Sequence, residues 1–133
     1  MPVASTTGEQ SLEASVTGPD GATRLITITG IANVALTVTG GQERTELWTF
    51  LVGPTLARTQ FHRAIATASF TAETLHAQNA GFEFRYAINS VDADWDDESD
   101  RVEVRVEVYL TASATMTLNL SQLRYSVTIL AQL

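Results

Sequence analysis

The 133-residue chain contains no cysteine, no lysine and only three prolines. Without cysteine there is no disulfide framework, no thiolate nucleophile and no cysteine-ligated zinc or iron–sulfur site. All eight basic residues are arginine, against fifteen acids, so the formal charge is −7. Such a balance argues against a protein that binds nucleic acid through the phosphate backbone. No apolar run approaches the roughly 18 residues of a membrane-spanning helix, so no membrane partner is expected. The first residues, Met-Pro-Val-Ala-Ser-Thr-Thr-Gly-Glu, lack the basic and apolar regions of a secretory signal. The expected compartment is the cytoplasm, although an exported or virion-associated particle would share these features.

What the chain does contain is threonine and valine, nineteen and eleven residues, in runs that alternate with period two. Both are good strand formers, and few segments show helical spacing. Leu12, Ala14 and Val16 alternate with Glu13, Ser15 and Thr17 before a turn at Gly18-Pro19-Asp20-Gly21. Ile26 and Ile28 form one run, and Val34, Leu36 and Val38 another, closed by Gly40-Gly41. From Glu43 to Val52 both alternate sets are apolar, Trp48, Phe50 and Val52 against Leu47 and Leu51, which suits a central strand. Gly53-Pro54 ends it, because proline cannot donate to a ladder. Residues 55–80 read as an irregular strand rather than a short helix, followed by a loop or short helix over 73–81.

The second half is more regular. Phe82, Phe84, Tyr86 and Ile88 point one way; the phase then switches to Val91, Ala93 and Trp95, which predicts a β-bulge at Asn89 or Ser90. Val102, Val104, Val106, Val108 and Leu110 follow in a second long run, with Arg101, Glu103, Arg105, Glu107 and Tyr109 on its wet face. That charged face reads either as solvated or as a subunit interface. Ala114 to Leu120 and Leu123 to Ile129 supply two more strands. Eight or nine short strands without crossover helices predict an all-β fold, an antiparallel β-sandwich or a small barrel. The expected organisation is a loose polar arm over residues 1–9 and a single β domain over 10–133.

Chemistry concentrates in one place. Residues 91–107 hold eight acids and two arginines, while the rest of the chain is nearly neutral, with seven acids and six arginines. Within this segment Asp92, Asp94, Asp96, Asp100 and Glu103 occupy relative positions 1, 3, 5, 9 and 12, a carboxylate spacing that resembles the calcium-binding EF-hand loop. Asp97 stands where that loop needs glycine, and the flanks read as strands rather than helices. Calcium is therefore the one cofactor the sequence suggests. Pairing Val91 with Val104 would instead place these carboxylates on the solvent face of a hairpin, with Asp94 opposite Arg101 and Asp92 opposite Glu103. Trp95 either stacks on a sugar ring or closes the end of the core.

Catalytic signals are absent from the sequence. His62 and His76 are the only histidines, with no metal-binding spacing. There is no Gly-x-Ser-x-Gly elbow and no glycine-rich phosphate loop preceding a helix. The expectation is a non-enzymatic structural or interaction module, a homo-oligomer or a component of a larger protein assembly. The alternative is a calcium-dependent or carbohydrate-binding β-sandwich built on Asp92 to Glu103.

Overall fold

The computed structural model describes residues 2–19, 21–77, 84–113 and 116–132, with 72–77 described through the backbone alone. Seven strands account for nearly all of them: β1 (Ser5–Gly18), β2 (Gly21–Thr39), β3 (Glu43–Val52), β4 (Phe61–Ala77), β5 (Phe84–Asp96), β6 (Arg101–Ala112) and β7 (Met116–Gln132). They form two antiparallel sheets, one of order β1-β2-β7-β4 and one of order β3-β6-β5. Each sheet has two ends, so the small-barrel alternative does not hold. No helix among the described residues is long and apolar enough to cross a membrane.

Both sheets contribute to one buried cluster. From the first sheet come Ile26, Ile28, Leu36 and Val38 of β2 with Leu118, Leu120, Leu123, Tyr125, Val127 and Ile129 of β7. The second sheet supplies Phe50 and Val52 of β3 and the whole inward row of β6, from Val102 to Leu110. Each such side chain removed from water contributes roughly 1.5–3 kcal/mol, so β2, β6 and β7 define the fold.

There are fewer strands than the eight or nine expected, because two pairs of predicted strands are single long ones. Ile26 to Val38 lies in one 19-residue strand. In β7 the inward phase changes between Leu120 and Leu123, which resembles a strand break in sequence, but Gln122 takes a positive φ of 59° and pairing continues past it. Facing this bend, β2 advances three residues, Ala32 to Ala35, while β7 moves two, Leu123 to Ser121. The predicted bulge in β5 is present: Ile88 pairs with Val108 and Ser90 with Glu107, leaving Asn89 as the extra residue.

Three further expectations are corrected. The stretch 73–77, read as loop or helix, completes β4 by pairing with β7, and 78–81 lie outside the described residues. β3 is an end strand of its sheet rather than a central one. The chain's first residues run along the outer edge of β3. Thr49 N–H donates to the Pro2 carbonyl oxygen (3.1 Å), and Ala4 N–H donates to the Thr49 carbonyl oxygen (2.8 Å). Residues 1–9 are accordingly not a loose arm where they are described: Ala4 is buried, and 5–9 open β1.

The alternation in β1 runs against the usual half-buried pattern, in which the apolar set faces the core. Leu12 pairs with Thr27 and Ala14 with Leu25, the outward residues of β2, while Glu13 pairs with inward Ile26. Glu13 is ion-paired with Arg24, which holds its carboxyl below the ordinary range. The apolar side of β1 is left on the outside of the sheet.

Candidate functional site

The acidic hairpin joins β5 to β6 through Asp97–Asp100. Asp96 caps this turn: its Oδ2 accepts from Ser99 N–H (3.0 Å) and from the Ser99 hydroxyl (2.6 Å). Asp100 N–H donates to the Asp96 carbonyl oxygen (2.9 Å), with Asp100 at a φ of 55°. Aspartate tolerates this left-handed conformation better than most residues. This four-residue turn is two residues longer than the expected pairing implies, and it shifts the register by two. Val91 pairs with Val106, Ala93 with Val104 and Trp95 with Val102; Asp92 faces Arg105, Asp94 faces Glu103 and Asp96 faces Arg101.

The five sequence-selected carboxylates therefore divide. Asp92, Asp94 and Glu103 lie on the outer face of the second sheet, where with Ala93, Trp95, Asp96 and Arg105 they line a recess of about 290 Å³. Asp96 belongs to the turn, and Asp100 is exposed within it. Glu103 Oε1 accepts from Arg105 Nε (2.7 Å), and this bond, more than the charges of Asp94 and Asp96, holds the Arg105 guanidinium above its ordinary range. Asp94 Oδ1 accepts from the Trp95 backbone N–H (2.8 Å). Among the described residues, no group of three or more carboxylates or imidazoles is placed to hold a metal ion.

Trp95 is half-buried and engaged on two sides. Its Nε1–H donates to the Leu56 carbonyl oxygen (2.9 Å), and the Arg58 guanidinium stands 5.3 Å from the ring centroid. Arg101 Nε–H donates to the Gly53 carbonyl oxygen (2.9 Å), and Leu56 N–H to that of Asp100 (2.7 Å). Together they fasten the segment 53–60 over the hairpin, so a sugar would have to displace Arg58 from the indole to stack there.

His62 and His76 lie on the same strand, β4, fourteen residues apart. At about 3.3 Å per residue their backbone positions lie roughly 46 Å apart along the strand.

Sequence reasoning missed the outer face of the first sheet. Four strands present one cross-strand row of Ala14, Leu25, Leu130 and Arg63, and beside it Leu12, Thr27, Thr128 and Ile65. Leu12 and Val16 flank Leu25 diagonally, and Ile65 flanks Leu130. Leu12 is 80% exposed, Ile65 60% and Val16 54%, with Leu25 and Leu130 more than a third exposed. The nearest signal in sequence was the apolar alternation at Leu12 to Val16, but alternation does not say which face is inward. The chain matches no known protein family, no curated protein and no solved structure.

Proposed function

We propose that this protein is a non-enzymatic structural or interaction module, a two-sheet β-sandwich that joins copies of itself or docks on a larger protein assembly. The observation that carries the reading is the contiguous aliphatic patch of Leu12, Val16, Leu25, Ile65 and Leu130 on one outer sheet face. Isolated exposed aliphatics are ordinary, but a connected group across four strands is the surface that protein partners cover. With strands about 4.8 Å apart and about 3.4 Å per residue, the face from Thr23 to Thr39 measures roughly 50 by 19 Å. Its flat area of about 950 Å² is on the scale of one side of a specific interface, about 800 Å².

Light scattering after size exclusion tests the reading. The wild-type chain is expected above its monomer mass of 14.4 kDa. Leu12→Gln with Ile65→Gln should return it to the monomer with unchanged far-ultraviolet circular dichroism, since both side chains are exposed. A wild type that stays monomeric at about 1 mM, where even an association of ~4 kcal/mol is half complete, overturns self-association.

A further inference from the structure

Resting on that reading, we infer that the partner covering the outer face of the first sheet is a second copy of this chain presenting its other side, so that copies stack head to tail. The two outer faces differ in charge. Among the described side chains, the face of the first sheet carries Arg63 and Arg124 and no carboxylate, and neither arginine has an ion-pair partner. The outer face of the second sheet carries six acids, Glu43, Asp92, Asp94, Asp96, Glu103 and Glu107, against Arg85, Arg101 and Arg105. That gives +2 on one face and −3 on the other.

Two like faces pressed together would place four arginines in one desolvated layer without a counter-charge, which is costly. Placing unlike faces together brings each arginine against carboxylates, and guanidinium and carboxylate form strong charge-assisted hydrogen bonds. The spans also agree. Arg63 lies opposite Leu130, so it and Arg124 are six residues apart on neighbouring strands, roughly 20 Å. Asp96 lies opposite Arg101, six residues from Glu107, which is the same distance on neighbouring strands β5 and β6. The recess bordered by Asp92, Asp94 and Glu103 lies within that span.

Each copy then uses both faces once. The contact is heterologous, and it gives a ring if its rotation closes and a filament if it does not. High salt should loosen it, because part of the attraction lies at a solvated rim.

Charge exchange tests the proposal. Arg63→Glu with Arg124→Glu makes both faces acidic, and Asp94→Arg with Glu107→Arg makes the second face basic like the first. Each variant alone is expected at the monomer mass. Mixed one to one, they should regain the wild-type mass, since each then offers the face the other lacks. The neutral pair Asp94→Asn with Glu107→Gln, the mildest change of shape, should weaken wild-type association at least tenfold. Assembly of the Asp94→Arg/Glu107→Arg variant alone to wild-type mass overturns the head-to-tail contact while leaving self-association standing. A mixture of folded variants that stays monomeric overturns it as well. A monomeric wild type overturns the head-to-tail contact and self-association together.

Discussion

The indole N–H of Trp95 reaches the carbonyl oxygen of Leu56 at 2.9 Å, joining the acidic hairpin to a segment thirty-nine residues earlier in the chain. Leu56 is itself buried, so its carbonyl lies where an unmet acceptor is costly. Trp95→Phe keeps most of the ring and removes the donor. The expected loss is about 1 kcal/mol, or a fall in Tm of roughly 3–5 °C by calorimetry. Equal stability in the variant would mean that water replaces the bond without cost.

Asp96 is predicted to act as a turn cap rather than as a metal ligand. Asp96→Ala removes the single oxygen that accepts both Ser99 bonds and should cost about 1 kcal/mol in urea unfolding. Millimolar Ca²⁺ should leave the wild-type Tm unchanged, because Asp96 and Glu103 already hold Ser99 and Arg105. A rise of several degrees, lost in Asp94→Asn with Asp96→Asn, would instead establish the cation site that the carboxylate spacing suggests.

Gly30 makes room for Tyr125. The two residues are paired across β2 and β7, and a Cβ at position 30 would come within 2.7 Å of the tyrosine Cζ, a ring atom with little freedom to move. Tyr125 is also packed on Phe50, with ring centroids 4.9 Å apart. Gly30→Ala should therefore destabilise the chain by about 1–3 kcal/mol despite alanine's better backbone propensity. A neutral result in equilibrium unfolding would show that the ring can yield.

Tyr125 carries a phenol whose ionisation is pushed above its ordinary range, chiefly by burial and further by the charge of Glu9. In an ultraviolet titration it should ionise above the range of a free tyrosine. The linkage sign follows from the native state retaining the proton longer. Nothing is lost below the unfolded value of about 10, and stability falls as the pH rises above it. Tyr125→Phe should flatten that part of the alkaline stability curve; an unchanged slope would assign it to other groups.

Much of the fold is legible in the sequence because period-two alternation is a direct consequence of the pleat. β3 and the long β6 run follow it, and the bulge at Asn89 shows as a change of phase. The strand count is less legible, since the phase change at Gln122 resembles a break until one sees the backbone bend and resume pairing. The hairpin register depends on hydrogen bonds between Asp96, Ser99 and Asp100, which alternation does not encode. The outer face was hidden for a related reason. Burial of Ile26, Ile28 and their neighbours fixes the phase of β2, and the ladder then places Leu12 and Val16 outside whatever their own preference. In the acidic segment the concentration of charge is visible in the sequence, whereas the separation of Asp96 from Asp92 and Asp94 by their hydrogen bonds is not.

The long first sheet also has a mechanical consequence. Ser5 pairs with Asn33 and Gln132 pairs with Thr23, so these two residues meet β2 at points ten residues apart, roughly 33 Å along it. Tension applied between those points runs along the strands, loading the β1–β2 and β2–β7 ladders in shear, with many backbone bonds resisting together rather than opening one after another.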